Sequence, residues 1–224
     1  MQKQNKFFEG KDYEKGDFKP LTSKFYTPAY QRYIKEEELL VCTKVMGAKR
    51  VLEAGVGTGR MLRRLSPIVR QVVGVDNSQL MLEESRRVAS RFRNVKIIEG
   101  NIEELGSMFP VNHFDFVLCL WNTLGNLDDN ARALVEMTKV ASKEILVSVH
   151  LKGALAERRK WYSAVGVEIK KIDRSTETVY TKDELVSKAY SVNDIKSLAM
   201  ETGLMLTDLR VLGDVVLFAQ FSKD

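Results

Sequence analysis

The residues best placed to do chemistry form one run, Glu53-Ala54-Gly55-Val56-Gly57-Thr58-Gly59, directly after the apolar pair Val51-Leu52. Glycines at a strand end let the backbone turn sharply and approach a ligand with no Cβ in the way. A dinucleotide fingerprint needs glycine where Arg60 stands, and a phosphate-cradling P-loop needs a Gly-Lys-Ser/Thr ending, so neither applies here. Asp76 closes a second apolar run, 21 residues after Gly55. Its two carboxylate oxygens can accept both hydroxyls of a ribose. The plain alternative is that Asp76 caps the next helix. His150 follows a fifth apolar run and can serve as a general base or hold a substrate, or simply be a polar helix-start residue. His113 precedes the fourth run and reads as structural.

These residues need a scaffold of alternating strands and helices. Strands are expected at 51–54, 71–75, 95–98, 114–120 and 144–149, the fourth apolar enough for burial on both faces. Thr27-Pro28 reads as the start of a helix that Gly47 ends. A second helix spans 59–66, stopped by Pro67. Ser78 caps a third, with Met81, Ser85, Val88 and Phe92 on one face. Asp128 starts a fourth, with Ala131, Leu134, Val135, Thr138 and Ala141 on one side. Residues 163–190 read as a small antiparallel meander. A helix follows from Ser191 to Thr202, with a capping-box start and Gly203 as its stop. Two strands, 204–211 and 215–221, then pair across the Gly213-Asp214 turn. This order argues for a mostly parallel sheet with helices on both faces, whose ligands sit at the carboxyl ends of the strands.

With that order in place, the chain resembles the class I S-adenosylmethionine (SAM)-dependent methyltransferases. Their first motif, acid-x-Gly-x-Gly-x-Gly, is matched by Val51 to Gly59. The resemblance covers residues 25–221. It implies a Rossmann-like seven-stranded sheet, mostly parallel with the last strand antiparallel, and a small antiparallel insertion between strands five and six. It also implies SAM as cofactor. SAM carries a sulfonium and an ammonium but no pyrophosphate, so an acid at the strand end suits it electrostatically. On this resemblance Glu53, Gly55, Gly57 and Gly59 surround the cofactor and Asp76 holds its ribose. Asn77 and Met81 lie beside the adenosine, Asn101 and Ile102 meet the adenine, and Leu120 borders the site. Asn101 stands where the family usually has Asp; its side-chain carbonyl can still accept from the adenine amino group.

The same resemblance bears on the acceptor. Trp121-Asn122-Thr123 falls where the methyl group is delivered. The segment lacks the Asp/Asn-Pro-Pro-aromatic signature of exocyclic base methylation, and Cys119 lacks the preceding proline of a cytosine-attacking nucleophile. Asn-Thr-Leu-Gly-Asn at 122–126 is instead similar to small-molecule N-methyltransferases. Such enzymes often fold a tyrosine-bearing N-terminal segment over the cofactor. Tyr33 or Tyr26 then contacts the methionine carboxylate or lines the substrate pocket; packing is the alternative for either. A base or water near Asn122, His150 or Tyr26 is expected to take the acceptor's proton. The expected reaction is methyl transfer to N or O of a small molecule.

Composition sets outer bounds. The 224 residues suit one domain, and 44% hydrophobic content suits a globular core. Residues 1–24 are expected to be a flexible lead-in and 25–224 the domain, with 163–190 a lid or a homodimer surface. Two cysteines, Cys42 and Cys119, are too few for a disulfide scaffold, and the two histidines have no metal-ligand spacing. No run approaches the ~20 apolar residues of a membrane span, and the polar first residues do not read as a signal peptide. A cytoplasmic protein is expected. The net charge of +5 allows nucleic acid but does not favour it. An RNA or protein methyltransferase, with Arg158-Arg159-Lys160 as its support, is the main rival; a non-catalytic SAM-binding regulator is another.

Overall fold

The computed structural model describes residues 26–223, so the expected lead-in over 1–24 lies outside the described residues. In chain order the elements begin with α1 (Pro28–Val45), β1 (Arg50–Ala54), α2 (Leu62–Leu65), β2 (Gln71–Asp76), α3 (Gln79–Ala89) and β3 (Val95–Glu99). They continue with α4 (Leu105–Met108), β4 (Phe114–Cys119), α5 (Asn130–Val140), β5 (Ala141–His150) and α6 (Leu155–Ala164). The last are β6 (Ile169–Asp173), β7 (Thr178–Thr181), β8 (Val186–Ser187), α7 (Val192–Thr202), β9 (Met205–Leu212) and β10 (Val216–Ser222).

The apolar runs at 51–54, 72–75 and 116–119 become central strands because helices cover both of their faces. The main sheet has seven strands in the order β3-β2-β1-β4-β5-β10-β9. The first five run parallel. β10 is antiparallel to both β5 and β9. This is the Rossmann-like arrangement expected. The chain moves outward from β1 through β2 to β3, then returns to place β4 on the other side of β1. Parallel strands that diverge in this way open a crevice at their carboxyl ends. One face packs on α1, α2 and α3 through Tyr30, Tyr33, Val41, Leu62, Leu65 and Met81. The other packs on α4, α5 and α7 through Leu105, Leu134, Met137, Val140, Ile195 and Leu198.

Local capping follows the side-chain chemistry. Ser78 Oγ accepts from the Met81 N–H at the start of α3. Ser191 and Asp194 form a reciprocal capping box on α7, and Gly203 ends that helix at φ +66°. The expected helix over 59–66 shortens to α2, because Gly59 sits at φ +80°, outside helical space. α5 starts at Asn130 with Asp129, not Asp128, as its cap. Its buried face is Ala133, Leu134, Met137 and Val140, while Val135 is exposed. Apolar residues surround this helix, so spacing alone does not choose its face. The meander over 163–190 is the three-stranded antiparallel sheet β6-β7-β8. Helix α6 before it was not foreseen. It buries Arg158, at 2% exposure, with Trp161 and Tyr162, so the run Arg158-Arg159-Lys160 is not an open basic patch.

Candidate active site

A cavity of about 890 Å³ occupies the crevice above β1, β2 and β4. Its walls bring together Tyr26, Glu53, Gly55, Gly57, Asp76, Asn77, Met81, Asn101, Ile102 and Leu120, all selected from the sequence. The glycine loop builds its floor. Gly55, Gly57 and Gly59 all have positive φ, at +78°, +53° and +80°. A Cβ on Gly55 would lie 2.4 Å from Thr123 Cγ2, so the strand-to-loop turn closes only on glycine. A Cβ on Gly57 would meet no protein atom within 4 Å, and Gly57 lines the cavity, so the space it leaves open is part of that cavity. Gly59 does not line the cavity. Its bare Cα instead admits Leu62 Cδ1, at 2.7 Å from a built Cβ, and the backbone of α3 at Ser85.

Asp76 ends β2 with both oxygens engaged by the backbone. Oδ2 accepts from the Gly57 N–H at 2.8 Å and Oδ1 from the Ser78 N–H at 3.0 Å. These bonds fix the carboxylate plane, and each oxygen keeps a lone pair for a ribose hydroxyl. Burial pushes this carboxyl above its ordinary range, against the pull of the Ser78, Gly57 and Asn77 N–H groups. Asn101 caps the 3-10 turn that follows β3, accepting from the Glu103 N–H at 3.0 Å.

Glu53 is buried at the end of β1, and its Oε2 has no hydrogen-bond partner. Burial raises its carboxyl to about 8, although Arg60 opposes the shift. A buried acceptor left without a donor is costly. An ammonium delivered by a ligand would satisfy it, so the residues present fit SAM.

Tyr26, Trp121, Thr123, Lys170, Glu184 and Val186 also line the cavity. Lys170 and Val186 come from β6 and β8, so the small sheet borders the cavity. The Tyr26 and Trp121 rings lie 5.3 Å apart between centroids. Trp121 and Asn122 are consecutive left-handed residues, at φ +57° and +59°. Ser148 on β5 pins that turn: Oγ accepts from the Trp121 N–H at 2.8 Å and the carbonyl from the Asn122 N–H at 2.9 Å. Burial, with Arg60 opposing it, holds the Tyr26 phenol above its ordinary range, so it stays neutral at physiological pH.

Four sequence assignments change place. Gly59 is a packing position, as its contacts with α2 and α3 show. Tyr33 sits behind Trp121, stacked at 5.3 Å and 14°, with its hydroxyl donating to Glu37 Oε1 at 2.8 Å. Asn122 turns away from the cavity. Its Oδ1 accepts from the His150 N–H at 2.8 Å, and its Nδ2 donates to Asn126 and Ser187. His150 is buried behind the wall, near Tyr30 and Trp161. Burial, and then Arg158, hold its imidazole well below the usual histidine range. Neither Asn122 nor His150 lines the cavity. A position just past a strand's carboxyl end does not tell which way the side chain turns.

Arg60 and Glu37 were missed. Arg60 lines the cavity, and its guanidinium pairs through Nη2 with the fully buried Glu37. Glu37 also accepts from Ser148 Oγ and Tyr33. The available signal was a carboxylate inside the apolar face of α1. Among the described residues no cluster of His, Cys, Asp and Glu is placed to hold a metal.

The strand order and the acid–glycine loop at the end of β1 give the Rossmann-like fold found in SAM-dependent methyltransferases. Residues 51–144 match the family described as "Methyltransferase domain". The chain is similar to the ubiquinone/menaquinone biosynthesis C-methyltransferase UbiE of Coxiella burnetii (strain CbuK_Q154), at 28% identity over 80% of this chain and 72% of that protein. It spans 37%, 42% and 57% of other curated relatives that it matches. Among solved structures, the PH0226 protein of Pyrococcus horikoshii OT3 matches with a TM-score of 0.74 at 18% identity, over 99% of this chain and 100% of that one. The 1,6-didemethyltoxoflavin-N1-methyltransferase of Burkholderia thailandensis, with 1,6-didemethyltoxoflavin and S-adenosylhomocysteine bound, matches at 0.65 and 15% identity, over 95% and 84%.

Proposed function

We propose that this chain transfers a methyl group from SAM to a nitrogen or oxygen of a small-molecule acceptor. The observation that carries the reading is that one cavity is lined by Asp76, Asn101 and Glu53 together with Tyr26, Trp121 and Val186. Its volume lies within the ~300–1,000 Å³ of small-molecule sites. When bound, SAM supplies an electrophilic methyl on sulfur that leaves to an in-line lone pair. The protein's part is positional. Asp76 and the glycine loop would hold the nucleoside, and Trp121, Tyr26 and Val186 would flank the path of the acceptor and keep water out. Holding the acceptor in line at near-attack distance supplies most of the rate. The neutral Tyr26 hydroxyl is suited to orienting the acceptor by hydrogen bonding, and the methylated product gives up its proton to bulk water as it leaves the cavity. β6-β7-β8 acts as the lid rather than as a dimer surface, because Lys170 and Val186 already border the cavity.

The test is turnover of SAM to S-adenosylhomocysteine with a panel of amines, phenols and hydroxy acids. Turnover with a member of that panel supports the reading. Activity confined to carbon acceptors would move it to the chemistry of the quinone C-methyltransferase relatives. Binding of SAM with no turnover would move it to a regulator. The RNA reading has one observation in its favour, an open cleft lined by Lys49, Arg50, Arg70, Arg93 and Lys96. These residues lie at the amino ends of β1, β2 and β3, across the sheet from the cavity. RNA held there would not reach the methyl group. Salt-dependent RNA retention that raises turnover would support this rival.

A further inference from the structure

The basic cleft at the amino ends of β1, β2 and β3 has no part in the proposed methyl transfer. Its five cations, Lys49, Arg50, Arg70, Arg93 and Lys96, are all exposed. Among the described residues none of them forms an ion pair with a carboxylate. Asp115, beside Lys49 and Arg50, is already engaged. Its Oδ2 accepts from their backbone N–H groups at 2.6 and 3.0 Å, and its Oδ1 faces Lys143 at 3.7 Å. The loops that carry the cations are tied to one another. The Arg70 N–H donates to the Ala48 carbonyl at 3.0 Å, and Asn94 Nδ2 donates to the Ser66 and Val69 carbonyls at 2.8 and 3.0 Å. Positive charge is also concentrated in this part of the chain. Residues 49–96 hold eleven Lys and Arg against four Asp and Glu, and two of those four, Glu53 and Asp76, line the cavity at the other strand ends.

Like charges fixed side by side repel, and a bound anion removes that cost. The strand order β3-β2-β1 sets these cations in a row. Neighbouring strands lie ~4.8 Å apart, so three strand ends make a row of ~10 Å. A nucleic-acid strand carries one charge per ~3.4 Å of axis, so roughly three to four phosphates match the row. No aromatic side chain lines the cleft, so it has no platform on which bases could stack. Its one apolar lining residue, Val95, is half-buried and offers nothing to insert into a lipid surface. We infer that this cleft binds the phosphate backbone of a single nucleic-acid strand, whatever its bases, as a partner and not as the methyl acceptor. The inference does not depend on which small molecule is methylated.

The experiment is fluorescence anisotropy of the full chain with labelled oligouridylate and oligoadenylate, from 50 to 200 mM salt. Wild-type affinity should fall roughly 15- to 60-fold over that range, a log–log slope of about −2 to −3. The two oligonucleotides should bind within about threefold of each other, because phosphate contacts carry no base information. Arg50→Gln with Arg70→Gln and Arg93→Gln removes three of the five charges. It should bind at least about tenfold more weakly at 50 mM salt, with a slope shallower by about 2. A control, Lys35→Gln with Arg159→Gln and Lys196→Gln, removes the same charge from exposed positions elsewhere and should bind as wild type does. Both triple variants should melt as wild type does. A wild-type slope near zero overturns the inference, as do equal losses in the two triple variants. Tighter binding to vesicles of anionic phospholipid than to either oligonucleotide overturns it in favour of a membrane contact. Methyl transfer into the oligonucleotide overturns it in favour of nucleic acid as the acceptor.

Discussion

Alanine placed at Gly55 and at Gly57 should separate the loop's folding role from its binding role. Both residues have positive φ, so alanine costs about 1–2 kcal/mol at either through left-handed strain. At Gly55 the new Cβ also lies 2.4 Å from Thr123 Cγ2 and 2.9 Å from its Oγ1. Thr123 cannot easily swing away, because its hydroxyl donates to the Leu120 carbonyl at 2.7 Å. Overpacking of this kind adds about 1–3 kcal/mol. Gly55→Ala should therefore cost roughly 2–5 kcal/mol. At about 2–4 °C per kcal/mol for a chain of this size, that lowers the melting temperature by roughly 4–20 °C. Gly57→Ala carries the strain alone and should lose only about 2–8 °C. Its Cβ enters ligand space, however, so affinity for S-adenosylhomocysteine should fall more than about tenfold, as a loss of ~1.4 kcal/mol or more implies. Adding Thr123→Ala to Gly55→Ala should restore about 1–2 kcal/mol of the overpacking loss. Thermal melts and calorimetry read both quantities. Equal destabilisation by the two glycine changes, or no rescue by Thr123→Ala, would refute the steric argument.

Other outcomes follow from the site. Asp76→Asn can present only one acceptor oxygen and cannot serve both the Gly57 and Ser78 N–H groups; S-adenosylhomocysteine affinity should drop about 10- to 150-fold, measured by calorimetry, and an unchanged value would remove the ribose assignment. Glu53 binds its proton more tightly folded, at about 8, than unfolded, near 4.5. The stability it contributes is therefore present in full below pH 4.5 and is lost as pH rises toward 8, at up to about 1.4 kcal/mol per pH unit. Glu53→Gln should flatten that decline in denaturant melts across pH, and parallel curves for variant and wild type would count against the raised carboxyl. Asn122→Ala strands the buried His150 N–H and should cost about 1–3 kcal/mol in a thermal melt. His150→Asn should leave the pH dependence of methyl transfer unchanged, since the imidazole does not border the cavity.

Several parts of the fold were legible because their signals are local. Ser191 with Asp194, the Gly203 stop and the Gly213-Asp214 turn each act within a few residues, and all appear where expected. α6 was not legible because Arg158, Arg159 and Lys160 interrupt its apolar pattern. Arg158 is nonetheless buried, with its Nη2 donating to the carbonyl of Glu177 between β6 and β7. The face of α5 was misjudged for a related reason: apolar residues lie all round it, and the sheet decides which of them are covered.

The same division holds at the site. Sequence alone carried the motif on which the proposed cofactor rests. Acid, glycine and aspartate sit at fixed offsets from strand ends, and backbone geometry at a strand end follows from the residues there. It also determined that Arg60 breaks the dinucleotide pattern. Tertiary structure decided everything that depends on direction. Asn122 and His150 occupy the right strand ends, yet the Ser148-pinned turn after β4 aims Asn122 back into the framework. Burial behind Tyr30 and Trp161 keeps His150 from the cavity. Glu37, 23 positions before Arg60, became its partner only when α1 packed across the sheet. A side chain's neighbours across 23 or 111 residues, as for Glu37 with Arg60 and Ser148, are set by packing rather than by spacing along the chain.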